Sequence, residues 1–275
     1  MHYKTFVSRV IMATLIGGAG LVTASVFTGP SSYVLAADAN GQNAQLKLDV
    51  QKELRGKNFK NVSVRVNNGT VTLSGQVDLY AYKQEAIKKA QKVRGARDVR
   101  DNIAVGGPII PDDVLWKKLN DRIQVDRIGF GQVFDAILVQ VRNGVVTLGG
   151  HAKGPVTEQS AVAIADYMPG VKGVINKIQI DPVSPMDDGV RMAAFAAIYG
   201  YAPLKEYAIV PSRPIRISVQ NQNITLYGTV NNTMDKDLVY MRVMQLPNVF
   251  HVTNNLMVEN QTDEQKKNKV STSQK

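Results

Sequence analysis

One passage is written three times along this chain, and that repetition limits the fold more than any other feature. Residues 64–77 read VRVNNGTVTLSGQV, residues 139–152 read VQVRNGVVTLGGHA and residues 217–230 read ISVQNQNITLYGTV. Offsets of 75 and then 78 positions superimpose the three without an internal gap, and the match runs on to residues 105, 180 and 258. A period this long exceeds the roughly 20–50 residues of a solenoid unit, so each copy is expected to be a small domain closing its own apolar interior. Three tandem modules of that size favour multivalent contact over a single catalytic pocket.

Within each copy the apolar spacing changes from helical to strand-like and back. In the first, Leu46, Val50 and Leu54 form a helical stripe. Residues 62–66 and 71–77 then alternate at period two around Asn68-Gly69, the strongest short hairpin signal. Tyr82, Ala86, Ala90 and Val93 fall on one helical face, and Val99, Ile103 and Val105 form a last strand. Val146, Leu148, Ala161, Ala165, Val174 and Ile178 answer in the second copy; Ile224, Leu226, Val239, Val243, Val252 and Leu256 answer in the third. The predicted class is α+β: three tandem αββαβ sandwiches, each a three-stranded sheet packed on two helices. The modules are placed at residues 42–106, 112–181 and 186–259, joined by short proline-containing linkers that limit their relative orientations. Residues 260–275 form a polar, basic tail with the composition of a disordered segment.

Gly75, Gly150 and Gly228 recur at one strand position, where a glycine marks a bulge or a close backbone approach. They are read as structural glycines, with the following helix as the expected neighbour. The third copy departs from the pattern. Asn221-Gln222 replaces Asn-Gly, and a left-handed Gln costs about 1 kcal/mol, so a different turn and a bulkier module are expected there.

The first 36 residues read as an export signal. Lys4 and Arg9 precede the apolar stretch 10–27, and Val34-Leu35-Ala36 offers small residues at the −3 and −1 positions before Ala37. The other reading is an uncleaved membrane anchor. Both put the modules outside the cytoplasm, in the periplasm or an equivalent exported location, and both argue against nucleic acid as the partner of a chain with net charge +10. The absence of cysteine excludes disulfides, thiol catalysis and a lipidated N-terminal Cys. Residues 37–106 hold 13 Lys/Arg against 7 Asp/Glu, whereas residues 107–181 balance at 8 and 8 and residues 182–259 at 6 and 6. The positive charge of the modules is therefore concentrated on the first.

The pattern V-x-N-G-x-V-T-L-x-G-x-V, then a helix, then V-x-G-V-x-x-V-x-N-x-I-x-V, resembles the BON domain of bacterial osmotically inducible and nodulation-related proteins. It is carried by residues 66–77 and 93–105, 141–152 and 168–180, and 219–230 and 246–258. The resemblance implies an αββαβ fold, a periplasmic or envelope setting, a link to osmotic tolerance and envelope integrity, binding to phospholipid surfaces, and no enzymatic activity. It carries over no catalytic residue.

The strongest candidate for function is the basic second helix of module one with its exit: Lys83, Lys88, Lys89, Lys92, Arg94 and Arg97. The equivalent stretches of the other copies hold only Lys172 and only Arg242. Such a cluster reads either as a solvated helix face or as a surface for anionic phospholipid. Trp116, beside Lys117 and Lys118, suits a membrane interface, although a lone Trp in a small domain is more often core, the reading expected here. Asp112-Asp113 and Asp187-Asp188 stand just before predicted helices, where N-capping and the helix dipole account for them. His151 and His251 occupy different repeat positions and have no Cys or His partner for a metal. No catalytic residue, metal site or cofactor is expected. The expected partner is an anionic membrane surface, with an envelope protein docking at a sheet edge as the alternative.

Overall fold

The computed structural model describes residues 31–126, 130–210, 212 and 214–259. Apart from helical backbone from Ser31, the expected export signal and the basic tail lie outside these residues. The chain divides into two units, Met1–Gly41 and Gln42–Lys275, and all three repeats belong to the second.

Module one consists of α1 (Ser31–Glu53), β1 (Val62–Asn67), β2 (Thr70–Val77), α2 (Tyr80–Lys92) and β3 (Asp98–Val105). Module two follows with α3 (Asp112–Val125), β4 (Ala136–Arg142), β5 (Val145–Ala152), α4 (Pro155–Asp166) and a last strand broken into β6 (Gly173–Asn176) and β7 (Gln179–Ile180). Module three has α5 (Pro185–Tyr199), a short α6 (Lys205–Ile209), β8 (Ile215–Gln220), β9 (Asn223–Val230), α7 (Thr233–Met244) and β10 (His251–Val258). In each sheet the second hairpin strand is central, antiparallel to the first strand and parallel to the last. The three sheets are separate, and each packs one face on its helices.

All three hairpins close on two left-handed residues: Asn68 and Gly69 (φ 48° and 77°), Asn143 and Gly144 (53° and 76°), Asn221 and Gln222 (49° and 63°). The expectation of a different turn in the third copy is thus wrong, and the acidic pairs explain why. Asp187 is buried, and its carboxylate accepts from the Asn221 N–H at 3.1 Å and the Gln222 N–H at 2.7 Å. Those charge-assisted bonds hold Gln222 in a conformation it does not favour. Asp112 does the same for Asn143 and Gly144 at 2.6 and 2.9 Å, and Asn43 accepts from Gly69 at 3.1 Å. The first helix of each module therefore carries an acceptor aimed at its own hairpin, in the first turn of α3 and α5 and within the longer α1. Neither acidic pair caps its helix as expected: the N-cap of α3 is Pro111, which makes no side-chain cap, and that of α5 is Ser184, whose Oγ accepts from the Asp187 N–H.

The recurring glycines also face a neighbour other than the one expected. Gly75, Gly150 and Gly228 have φ of 121°, 83° and 113°. A Cβ on each would collide with a backbone carbonyl oxygen at the start of the hairpin, that of Asn61, Ala136 or Pro214, and not with the helix. The positive φ and the close carbonyl together leave room only for hydrogen.

Small residues set how closely each second helix lies on its sheet. Ala86 and Ala90 of α2, and Ala161 and Ala165 of α4, are buried against modules one and two; α7 presents Val239 and Val243. The wider third interior is filled partly from outside the module. Val133 and Phe134, from the short helical turn Phe130–Phe134 ahead of β4, belong to the core built by α5, β8, β9, α7 and β10. Phe134 meets Phe195 at 6.3 Å between ring centroids. The expectation that every copy closes its own interior fails here, because module three uses two apolar side chains of the preceding repeat.

Candidate functional site

α2 places the cations of module one unequally. Lys83 is committed to the fold: its Nζ donates to the Ile103 carbonyl at 2.7 Å and pairs with Asp101 at 2.8 Å. The same helix–strand tie recurs as Asn176 donating to Glu158, and as Asn254 donating to the Lys236 carbonyl. Lys89 pairs with Glu85 at 3.1 Å and lies 4.9 Å above the Phe59 ring. Lys88 is exposed on the side of α2 that faces module two. There burial pushes the Asp166 carboxyl above its ordinary pKa, and the Lys88 ammonium pulls it part of the way back.

Lys92, Arg94 and Arg97 are exposed at the helix exit. Lys92 and Arg94, with Lys89, Lys52, Asp49 and Glu53, line an open groove between the C-terminal ends of α1 and α2. Arg97 lays its aliphatic stem over Gly69 and donates its backbone N–H to the Gly69 carbonyl at 2.9 Å. That backbone contact recurs at Lys172 and Phe250, so the fold requires the N–H and not the guanidinium.

Trp116 is not a core residue. It is 42% exposed, and its Nε1 donates to the Val139 carbonyl at 2.9 Å on the outer edge of β4. The register makes Val139 a residue whose backbone polar groups point away from β5. The indole therefore covers an open sheet edge while leaving ring surface in water. The equivalent residue of module three, Arg191, donates to the edge carbonyl of Val219 at 2.7 Å. Beside Trp116 on α3, Lys117 pairs with Asp121 at 2.9 Å and Lys118 is exposed. The structure thus gathers Lys89, Lys92 and Arg94 at one groove and places Trp116, Lys117 and Lys118 on a different element.

The seam between modules two and three carries polar residues that sequence reasoning passed over. Asp181 is fully buried and accepts from Gln220 Nε2 at 2.8 Å and from Ser218 Oγ at 3.2 Å. His151 Nδ1 lies 3.1 Å from it, and the buried Arg191 guanidinium 3.5 Å. Serine, histidine and aspartate meet here without forming a nucleophilic triad. Ser218 and His151 both turn to the carboxylate, whereas catalysis needs histidine between the other two. The arrangement is a joint. Among the described residues no group of three or more His, Cys, Asp or Glu could hold a metal ion. No described helix is long and apolar enough to cross a membrane.

The sequence profile of the BON domain matches residues 42–107, 112–182 and 202–260. The chain belongs to the BON domain family. The chain is similar to osmotically inducible protein Y of Escherichia coli, with 29% identity over 130 residues covering 43% of this chain. The chain spans 61% of that relative's length. The outer membrane lipoprotein DolP of Haemophilus influenzae is 29% identical over 174 residues, covering 62% of this chain and 86% of the lipoprotein. Among solved structures, CdsD, a structural protein of the type III secretion system of Chlamydia trachomatis, aligns over 81% of this chain and 97% of its own at 18% identity. Its TM-score is 0.22, a likeness that supports no argument. The family and these relatives give the chain no enzymatic role.

Proposed function

We propose that this BON protein works at the cell envelope by reversible association with anionic phospholipid, in support of envelope integrity or osmotic tolerance. The carrying observation is the exposed cationic exit of α2. Lys88, Lys92, Arg94 and Arg97 stand where module two has Ala163, Tyr167, Pro169 and Lys172, and module three has Met241, Gln245, Pro247 and Phe250. The scaffold tolerates all three sets, so the fold does not demand cations there. Kinship with an outer membrane lipoprotein and an osmotically inducible protein supports the setting.

Four such cations contribute about 4 kcal/mol at an anionic surface, which corresponds to a roughly millimolar affinity. Firmer attachment needs a second module, an apolar insertion or an anchor. The half-exposed Trp116, with Lys118, is the proposed second contact because an indole belongs in the headgroup zone.

The test is sedimentation of the purified chain with zwitterionic or anionic liposomes at low and high salt. Binding should require anionic lipid and weaken with salt. Reversing Lys92, Arg94 and Arg97 to Glu removes about 3 kcal/mol and should weaken binding by at least about 100-fold. Binding indifferent to lipid charge would eliminate the electrostatic reading and leave protein docking at a sheet edge.

A further inference from the structure

Modules one and two meet through their second helices. α2 packs on α4, with Tyr82 edge-on to Tyr167 at 6.3 Å between ring centroids and the half-buried Asp166 within the field of Lys88. Ala81 is buried although it lies on the side of α2 turned away from Ala86, Ala90 and its own sheet. Module three carries the same helix in the same register. Met234 stands at the position of Ala81 and Val156, Met241 at that of Lys88 and Ala163, and Met244 at that of Gln91 and Asp166. These methionines are 78%, 53% and 53% exposed. Their helical spacing gathers them into one outward stripe, shared with the exposed Asp237 and Gln245. Val239 and Val243 take the inward side, and Arg242 turns aside to the Ala197 carbonyl and the Tyr201 ring. An exposed apolar stripe marks a contact surface, and methionine is the side chain that packs most adaptably in one.

We infer that this stripe is a self-association surface, and that its occupant is α7 of a second copy of this chain. Two observations name the occupant. Second helices already pair with each other within the chain, α2 with α4, and three repeats leave α7 as the odd one out. A two-fold axis lets it pair with its own equivalent. The stripe is also complementary to itself. In an antiparallel crossing centred on Met241, Asp237 of one copy meets Gln245 of the other, a carboxylate against a carboxamide donor, and Met244 meets Leu238. Met241 then packs on its twin, and no like charges are opposed. One helix face against another lies at the small end of specific interfaces, so the dimer is reversible, with a dissociation constant on the order of 10–100 µM. Pairing puts two basic first modules in one particle, yet the inference does not depend on lipid binding.

Sedimentation equilibrium of the purified chain over about 5–500 µM tests it, and should show monomer passing into dimer. Met241→Glu sets two carboxylates against each other at the axis and should weaken association at least about 30-fold. Met257→Glu, at a methionine 55% exposed on the outer face of β10, should leave association unchanged. The chain has no cysteine of its own, so Met241→Cys should form an intermolecular disulfide on mild oxidation far more readily than Met257→Cys. That comparison decides if Met241→Glu does not fold. A chain that stays monomeric throughout would overturn the inference, as would association that Met241→Glu leaves intact or that Met257→Glu weakens equally. A monomer whose liposome binding falls with Met241→Glu would overturn it too, giving the stripe to lipid.

Discussion

Asp187→Ala is the most demanding perturbation, because it separates a turn held by its own residues from one held by a distant carboxylate. Two N–H groups donate to this buried side chain at 3.1 and 2.7 Å, one from a Gln at φ 63°. Hydrogen bonds to a charged group contribute about 1.5–3 kcal/mol each, and the first-turn carboxylate adds about 0.3–1 kcal/mol with the helix dipole. Relief of the buried charge offsets part of this, leaving an expected loss of about 3–4 kcal/mol. Asp112→Ala removes the same pair of bonds from a half-exposed site above an Asn-Gly turn that adopts the conformation readily. Its expected cost is about 1–2 kcal/mol. Asn43→Ala loses one neutral bond, about 0.5–1.5 kcal/mol.

The assay is urea unfolding of each variant with a check that the slope is unchanged, together with hydrogen exchange at the turn amides. The Gln222 amide should lose protection far more than the Gly144 or Gly69 amide in the matching variants. A cost for Asp187→Ala no larger than that for Asn43→Ala, or an unchanged Gln222 exchange rate, would refute the capping argument.

Phe134→Ala should cost about 3–5 kcal/mol and raise hydrogen exchange in β8, β9 and β10 more than in β4 and β5, since the ring belongs to the third core; the reverse pattern would return it to module two. Gly228→Ala should abolish native folding of module three or force the hairpin apart, read as lost chemical-shift dispersion there, because Cβ and the Pro214 carbonyl cannot share the space. Asp166→Asn should stabilise the chain at neutral pH. The folded carboxyl titrates above the unfolded one, so the native state binds more protons between the two values, and the parent loses stability as pH rises through that window. The gap between parent and variant should close in acid; a gap that widens in acid would reverse the assigned direction.

Periodicity made the hairpins and the interior positions legible, because alternation at period two and the Asn-Gly signal are local facts of the chain. Val71, Leu73, Val146, Leu148, Ile224 and Leu226 are all fully buried. The joint was hidden for the opposite reason. Arg216 and Ser218 occupy outward positions of β8, where polar residues ordinarily mean water, yet β8 is buried on both faces from Ile215 to Val219. No pattern within one repeat can report that a neighbouring repeat covers its open face. The acceptors Asn43, Asp112 and Asp187 did leave a signal: each stands three residues before a buried apolar residue of its helix, Leu46, Leu115 or Val190. Aligning the copies by their first helices, as well as by their hairpins, would have found it.

Three copies of one scaffold also allow each surface to be judged against the other two. The turn acceptor, the strand glycine and the tie from second helix to last strand hold their places in all copies, so they belong to the fold. The residue four positions after the acceptor varies as Lys47, Trp116 and Arg191, and its surroundings vary with it: Lys47 is exposed, Trp116 covers a strand edge, and Arg191 is sealed beside Asp181. Module three has turned its open sheet face into a joint, which commits that face to module two and removes it from outside contact. Module one keeps its sheet face polar and concentrates cations at the exit of its second helix, where the scaffold accepts almost anything. A membrane contact can be gained or lost there without disturbing the core. That independence is what the charge reversal at Lys92, Arg94 and Arg97 exploits: it should remove liposome binding while leaving the unfolding midpoint within about 0.5 kcal/mol of the parent, the range typical of surface substitutions.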